Sequence, residues 1–253
     1  MVMKRRPPAG NVRRVRSTGR NICGTMTNKA GRIVQFESQV EHVALVQLNR
    51  DRRVRDFATQ FEMITWHDEV GHQHSYTPDI IVWYVDGSVE VQEITISARR
   101  TLDELYVRTL PLAKQRKIRA AVAAARRRED EGRRGFTARG WRYVVRTEHD
   151  LPGPTERANL LALAGYRGRA CGHAAVAAAA RARLECAVGQ TMLLADLIKG
   201  TAADTGVPTP RAAAALYHLI WQDDFTVDLY TLIFRYAEPV PGTRVHLTHA
   251  QEA

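Results

Sequence analysis

Three acidic residues, Glu41, Asp79 and Glu93, belong to separate segments of the chain whose patterns could bring their side chains together. Apolar residues recur at helical spacing around Glu41, whereas Asp79 directly precedes an unbroken β-favouring run and Glu93 follows a turn signal. Mg²⁺ prefers oxygen ligands and retains waters, so one or two protein carboxylates plus substrate phosphate oxygens complete its shell. A metal held in this way can activate an attacking water and neutralise charge on a phosphodiester. The three carboxylates therefore predict a Mg²⁺ site, with Mn²⁺ as a substitute, although acidic residues on a solvated surface would produce the same spacing.

The register of the hairpin formed by the two β-favouring segments decides whether Asp79 and Glu93 can meet, because a slip of one residue turns a side chain to the opposite face. Asp86-Gly87 is the turn signal between the two segments. A two-residue turn would place Asp79 opposite Ile94. A three-residue loop that ends on a left-handed Gly87 would instead place Asp79 opposite Glu93. We predict the three-residue loop.

The remaining patterns of the first 151 residues indicate a mixed layer of helices and strands rather than a helical bundle or a β-sandwich. A segment of helical period comes first, two strands joined by the turn follow, and a long helix interrupted near Pro111 leads to a further strand. The predicted elements are a helix over residues 36–49, strands over 80–85 and 88–97, a helix over 102–128 and a strand over 141–146. This order predicts an α/β fold with a mixed sheet flanked by helices.

The composition changes around residues 151–154 (LPGP), so we place a domain boundary between residues 151 and 152. The alanine-rich stretch 170–187 is helical by propensity, and residues 190–199 suggest a second helix. Thr209 followed by Pro210 is a favourable cap and first-turn pair for a third helix. Three helices before short β-like segments are the outline of a winged helix. The predicted regions are a basic flexible arm over 1–28, an α/β domain over 29–151 and a mainly helical, winged-helix-like domain over 152–253.

Basic residues outnumber acidic residues, with 37 Lys and Arg against 27 Asp and Glu and a formal net charge of +10. Such an excess favours a polyanionic partner, most simply nucleic acid. The three cysteines are widely spaced and form no C-x-x-C pair, so neither a disulfide framework nor a zinc site is indicated. No run of about 18 apolar residues occurs, and no apolar segment follows the basic N-terminus, so we expect a cytoplasmic protein with no membrane partner.

The order of short motifs around the three carboxylates resembles the TnsA family, the DNA-cutting subunits of heteromeric bacterial transposases. The likeness runs from about residue 33 to residue 150 and is looser in the C-terminal half, for example at 214–221 (AALYHLIW). The motifs that carry it are residues 36–41 (FESQVE), 54–61 (VRDFATQF), 76–79 (YTPD), 91–95 (VQEIT) and 140–148 (GWRYVVRTE).

The resemblance implies a restriction-endonuclease-like fold of the PD-(D/E)xK type that cleaves one strand at each transposon end with Mg²⁺. It also implies two protein partners besides the DNA of the transposon ends, a DDE-type transposase subunit and an AAA+ regulator, and a bacterial, nucleoid-associated setting. By the same resemblance Glu41 and Asp79 would be metal ligands. Glu93 occupies a third ligand position, where the family has Gln or Glu.

One departure from the family concerns its catalytic lysine, which stands two residues after the position of Glu93, where this chain has Thr95. Threonine carries no positive charge, and its presence would remove on the order of several kcal/mol of transition-state stabilisation unless another cation substitutes. Lys114 and Lys117, one turn apart on the predicted helix, are the candidates for a migrated lysine, and we assign the catalytic role to Lys114.

Basic residues of the same helix also suggest a path for the DNA backbone, and we assign this role to Arg116, Lys117 and Arg119. An exposed basic helix face explains these residues equally well. Three functions stay open at this level. The leading hypothesis is a metal-dependent endonuclease subunit, and the alternatives are a catalytically weakened subunit acting in DNA or partner binding and transpososome assembly, or a stand-alone restriction-type nuclease.

Overall fold

The computed structural model of the chain describes residues 22–61, 64–67, 71, 73–168, 173–235 and 238–248. The described residues up to Leu151 form one compact unit, and those from Pro152 onward form a second. The division falls within the segment at which the composition changes. Residues 1–21, which make up most of the predicted basic arm, lie outside the described residues.

The first unit is built on a four-stranded mixed sheet with helices on its faces. Its elements are β1 (Gly24–Thr27), β2 (Ile33–Phe36), α1 (Gln39–Arg50), β3 (Val54–Thr59), β4 (Ile64–His67), β5 (Gln73–Tyr76), β6 (Ile80–Tyr84), β7 (Val89–Ile94), α2 (Glu104–Arg108), α3 (Leu112–Thr137) and β8 (Arg142–Arg146). The sheet has the order β3-β6-β7-β8, while β1-β2 and β4-β5 form two-stranded hairpins. The β3-β6 and β6-β7 pairs are antiparallel, and the β7-β8 pair is parallel. A parallel pair requires a long crossover connection, which α3 supplies.

The apolar run of β6 is buried on both faces of the sheet, as its unbroken hydrophobicity predicts. Ile80 and Val82 belong to a core that also contains Leu45 of α1. Ile81 points to the other face and belongs to a second core with Phe136, near the end of α3. The helices α1 and α3 therefore cover opposite faces of the sheet, which confirms the predicted mixed sheet flanked by helices.

The second unit combines helices with a small antiparallel sheet. Its elements are α4 (Pro154–Ala164), α5 (His173–Cys186), β9 (Thr191–Leu193), α6 (Leu194–Thr205), α7 (Thr209–Trp221), β10 (Phe225–Val227), β11 (Phe234–Arg235), β12 (Glu238–Pro239) and β13 (Arg244–Leu247). The strands β10, β13 and β9 pair in that order. The helices α5, α6 and α7 pack against one another and contribute the fully buried Leu184, Leu197 and Leu216. Among the described residues of both units, no helix is both long and apolar enough to cross a membrane.

The N-terminal boundaries of the first unit differ from the sequence-based predictions because of a short hairpin. Phe36, predicted to begin the first helix, instead pairs with Gly24 across β1 and β2. The helix begins only after Ser38, which caps it. Strand β1 therefore belongs to the folded unit, although the sequence assigned residues 1–28 to the flexible arm.

Other element boundaries also differ from the predictions, either because a strand pairs with a segment far along the chain or because a charged segment continues a helix. The helix α3 continues to Thr137, nine residues past the predicted end, because the charged stretch after residue 128 stays helical. Residues 191–193, predicted to lie in a helix, pair instead with β13 about 50 residues later. The predicted cap at Thr209 is wrong, since Pro208 takes the N-cap position and Thr209 is the first helical residue.

Candidate active site

One pocket of the first unit, with a volume of about 310 Å³, contains all three carboxylates that the sequence singles out. It lies where the first turn of α1, the start of β6, the end of β7 and the middle of α3 meet. Its lining comprises Glu37, Ser38, Val40, Glu41, Tyr76, Asp79, Glu93, Ile94, Thr95, Ile96, Ala125, Arg128, Glu129 and Tyr143. The fold thus brings Glu41, Asp79 and Glu93 from three elements to one pocket.

The register of the β6-β7 hairpin sets two of these carboxylates side by side. Ile80 pairs with Gln92. One residue further along this register, Asp79 stands across from Glu93. The strands are joined by a three-residue loop that ends on Gly87, whose φ of 87° lies in the left-handed region. The predicted loop and register are confirmed.

Glu41 is held at the pocket wall by the N-terminal cap of α1. Its Oε2 accepts a hydrogen bond from the backbone N–H of Glu37 at 2.8 Å, and its Oε1 accepts one from the Ser38 hydroxyl at 2.9 Å. The Ser38 Oγ in turn accepts the backbone N–H of Glu41 at 3.1 Å. This reciprocal arrangement is close to a capping box, so Glu41 both stabilises the helix start and presents a fixed carboxylate.

Asp79 is fixed by backbone groups on both neighbouring strands. Its Oδ2 accepts the backbone N–H of Ile94 at 2.8 Å, and its carbonyl oxygen accepts the backbone N–H of Gln60 at 3.0 Å. Gln60 is buried, with a positive φ of 46°, and its side-chain amide donates to Glu37 Oε1 at 2.9 Å. Gln60 therefore connects the end of β3 with both Asp79 and the start of α1.

Glu93 lies in an enclosed setting beside two tyrosines. The Tyr76 hydroxyl donates a hydrogen bond to Glu93 Oε2, and the hydroxyl oxygens of Tyr76 and Tyr143 are 3.2 Å apart. Burial raises the pKa of Glu93, although the hydrogen bond from Tyr76 and the positive charge of Arg128 oppose this change. Burial also raises the pKa of both tyrosines, so both hydroxyls keep their protons at neutral pH.

Replacement of Glu93 by Gln is expected to stabilise the metal-free protein at neutral pH. Because the folded-state pKa of Glu93 is raised, ionising this carboxyl costs free energy in the folded state alone. The cost is absent below the ordinary pKa of 4.5 and grows as the pH rises through the folded-state value. The Tm of Glu93→Gln minus that of the unchanged protein, measured with EDTA, should therefore be smallest near pH 4 and increase towards pH 8. A pH-independent difference would contradict the effect of burial.

Among the described residues that line the pocket, Arg128 of α3 is the basic one, and Thr95 stands where the resemblance to the TnsA family predicts a lysine. The Arg128 side chain is exposed at the pocket. Its positive charge acts on Glu93, as the effect on the pKa of that carboxyl indicates. Glu129, which follows it on the helix, is bound by the Arg100 guanidinium through Nε and Nη2, each at 3.0 Å. Arg100 therefore compensates the charge of Glu129, whereas Arg128 faces the carboxylates of the pocket.

The structure does not bring the predicted Lys114 to this pocket. Lys114 and Lys117 are exposed and precede Ala125, the first α3 residue of the lining, by eleven and eight residues. At the rise of an α-helix these separations are about 16 Å and 12 Å along the axis. Any role of Lys114 in catalysis would require a rearrangement that brings its side chain to the carboxylates.

The predicted DNA-contacting residues also lie away from the pocket, on the exposed N-terminal half of α3. Arg116, Lys117 and Arg119 are all exposed. Arg119 Nη2 forms an ion pair with Glu104 Oε2 of α2 at 2.8 Å, which partly neutralises its charge. Arg116 and Lys117 remain the more available contacts for a phosphate backbone.

The sequence analysis missed Arg128 and Glu129 because it ended the predicted helix at residue 128 and interpreted the basic residues of that helix as an exposed face or a path for the DNA backbone. The sequence did contain a signal for their orientation, in the spacing of the non-polar residues Gly132 and Phe136 along the helix. Gly132 and Phe136 face the sheet, and a Cβ on Gly132 would stand 3.3 Å from side-chain atoms of Tyr143 and Tyr76. Residues three or four positions earlier on this stripe must face the same way. Arg128 and Glu129 occupy those positions.

The donor types of the pocket suit a hard cation, although no preformed cluster is present. Within the described ranges, no group of three or more His, Cys, Asp or Glu side chains stands close enough together to hold a metal ion. Glu41, Asp79 and Glu93 offer oxygen ligands alone, and Mg²⁺ needs one or two protein carboxylates when water and phosphate supply the rest. The residues therefore fit Mg²⁺ by donor chemistry.

Comparison with known proteins found neither a protein-family model nor a curated protein that matches the chain.

Proposed function

We propose that this chain is the DNA-cutting subunit of a heteromeric bacterial transposase of the TnsA type, a metal-dependent endonuclease that cleaves one strand at each transposon end. The convergence of Glu41, Asp79 and Glu93 in one pocket, with the hairpin register that their motif order requires, is the observation that carries the proposal. Its partners would be a DDE-type transposase subunit and an AAA+ regulator. It would act in the cytoplasm, at the nucleoid.

The arrangement of elements supports a restriction-endonuclease-like domain followed by a winged-helix-like domain. In the first unit, a mixed sheet with a parallel β7-β8 pair separates α1 from α3 and carries acidic residues at one edge. In the second unit, the order α5, β9, α6, α7, β10, β13 gives three helices with a strand after the first and two strands after the third. The β11-β12 pair would then be the wing. By analogy with the family, the second domain would contact the regulator.

The carboxylates of the pocket would bind the metal ion, and neighbouring groups would orient these carboxylates. One or two of the carboxylates Glu41, Asp79 and Glu93 would hold Mg²⁺, with water and phosphate oxygens completing its shell. The bound ion would neutralise charge on the phosphodiester and promote ionisation of an attacking water. The cap of α1 keeps Glu41 in place, and the backbone N–H of Ile94 does the same for Asp79. Tyr76 keeps Glu93 directed into the pocket.

Arg128 would take the electrostatic role that the family assigns to a lysine after the third ligand position. Its guanidinium is permanently charged, and it reaches the pocket from α3 rather than from β7. A cation placed there stabilises negative charge that develops on the phosphodiester during cleavage. If Arg128 supplies this charge, the site keeps a positive charge even though position 95 is a threonine.

Strand-specific nicking in the assembled complex tests the proposal. The full chain, the transposase, the regulator and a supercoiled plasmid with both transposon ends are combined, and the products are mapped on a denaturing gel. We expect nicks on one strand at each end with Mg²⁺ or Mn²⁺, and none with EDTA. Cutting at an internal recognition sequence by the chain alone would point instead to a stand-alone nuclease.

The threonine at position 95 favours a second candidate function, a nuclease fold that binds and assembles without cutting. This alternative predicts that the chain joins the transpososome and retains DNA binding. It predicts no nicks with any divalent metal in the complete complex. The same gel therefore separates the two candidates.

A further inference from the structure

A second pocket of the first unit combines cations with exposed aromatic surface. It has a volume of about 480 Å³ and shares no lining residue with the pocket of the three carboxylates. The β1-β2 turn, strand β3, the second residue after its end and strand β6 form its walls. Its lining comprises Lys29, Ala30, Arg32, Arg55, Asp56, Phe61 and Trp83.

The aromatic wall of this pocket is a pair of rings that are only partly buried. Phe61 and Trp83 meet edge to face, with centroids 5.6 Å apart and planes at 89°. Phe61 is 43% exposed, and Trp83 is partly exposed. A partly exposed aromatic face is a surface on which a nucleic-acid base can stack, and every base has a π-face suited to it.

The cations of the pocket surround this aromatic pair with a net positive charge. Arg32 is held in position by an ion pair with Asp56 of β3. Lys29 donates from Nζ to the carbonyl oxygens of Asp51 and Val54, which fixes the β1-β2 turn against the start of β3. Three cations therefore stand against one carboxylate in the lining.

Arg55 is the cation of this lining that is most available to a ligand. Its side chain is exposed, and the described residues form no ion pair or side-chain hydrogen bond with it. An exposed arginine side chain can reach a phosphate, and its planar fork suits phosphate oxygens. Phosphate contacts beside a stacking surface are the combination that proteins use to hold single-stranded nucleic acid.

We propose that this second pocket binds a single-stranded segment of DNA, with an unpaired base stacked at Phe61 and Trp83 and the adjoining phosphates on Arg55 and Arg32. A base inside a duplex is covered on both faces, so a recessed aromatic pair selects an unpaired one. The choice of DNA as the polyanion rests on the proposed function. Trp83 follows Asp79 by four residues along β6, which is about 13 Å. That length corresponds to about four stacked nucleotides, so the bound base would lie near the nicked bond.

Fluorescence anisotropy with the full chain in EDTA tests this proposal without any cleavage. The probes are a fluorescein-labelled 20-nucleotide single strand and the 20-base-pair duplex of the same sequence. We expect Phe61→Leu, which keeps apolar bulk but removes the π-face, and Arg55→Ala to weaken single-strand binding about tenfold each, with a smaller effect on the duplex. Tyr106→Ala and Arg108→Ala on α2 are matched controls, since both residues are exposed and line neither pocket.

Each outcome of this experiment decides the proposal. Single-strand affinity that is unchanged in Phe61→Leu and Arg55→Ala would overturn it, and so would an equal loss for single strand and duplex, which indicates a plain phosphate-binding surface. Intact DNA binding with lost assembly on the transposase would assign the pocket to a protein partner and also overturn it. Because binding is measured without metal, absence of nicking by the unchanged chain would refute the proposed nuclease function while leaving this result standing. Thermal melting of Phe61→Leu confirms that the variant is folded.

Discussion

Conversion of Asp79 to Asn is expected to reduce nicking at transposon ends by at least about 100-fold while leaving the fold intact. Asn has the same shape and can still accept the backbone N–H of Ile94 through its side-chain oxygen. It lacks the negative charge that a divalent ion requires from a protein ligand. The strand-specific products of the assembled complex, quantified over time with Mg²⁺, measure the effect.

Asp130→Asn is the matched control for Asp79→Asn. Asp130 is an exposed carboxylate of α3 that does not line the pocket, so its replacement should change neither nicking nor Tm. Comparable thermal melting of the two variants would show that a loss of nicking comes from the pocket. If Asp79→Asn cuts as fast as the unchanged chain, Asp79 is not part of the active site and the proposed nuclease function loses its main support.

The hairpin that carries Asp79 and Glu93 could be predicted because its determinants are local. A run of β-favouring residues, the Asp86-Gly87 signal and the two-residue alternation together fix a register. The left-handed φ of Gly87 in the structure agrees with that reasoning. The Ser38 cap has equally local determinants, since a capping residue and its partner are three positions apart, but the apolar period led the predicted helix to begin at Phe36 instead.

The β1-β2 hairpin and strand β9 could not be predicted in the same way. Strand β1 has four residues, and Gly24 and Thr25 give it no clear apolar period. Strand β9 has three residues and is paired with β13, about 50 positions later in the chain. Strands this short depend on their partners for stability, so their own residues carry little of the information that defines them.

The lining that α3 contributes depends on how this helix is rotated over the sheet. Phe136 is fully buried and stacks with Tyr143 at a centroid separation of 6.1 Å and with Trp141 at 6.0 Å. This contact, about two turns after Arg128, fixes the rotation of the helix and so determines which charged residues face the carboxylates. The sequence shows which basic residues α3 contains, but the packing of Phe136 determines which of them faces the carboxylates.

Removal of the Arg128 guanidinium in Arg128→Ala is expected to slow nicking by about 100-fold or more, the effect of losing one group that stabilises transition-state charge. Arg128→Lys should keep a larger part of the rate, because the charge stays although the planar fork is lost. Lys114→Ala should nick at nearly the unchanged rate, because Lys114 lies about 16 Å before the pocket along α3. Arg127→Ala is the matched control, since Arg127 is an exposed neighbour that does not line the pocket.

Together these variants show which basic residue of α3 supplies the positive charge of the site. Loss of nicking in Arg128→Ala alone would mean that the positive charge moved from the strand to α3 in this chain. Loss in Lys114→Ala alone would mean that the N-terminal part of α3 reaches the carboxylates within the complex, and it would refute the role proposed for Arg128. Unchanged nicking in both variants would exclude Arg128 and Lys114 as the cation of the site, and the carboxylates with their metal, or another basic residue, would then have to stabilise the transition state.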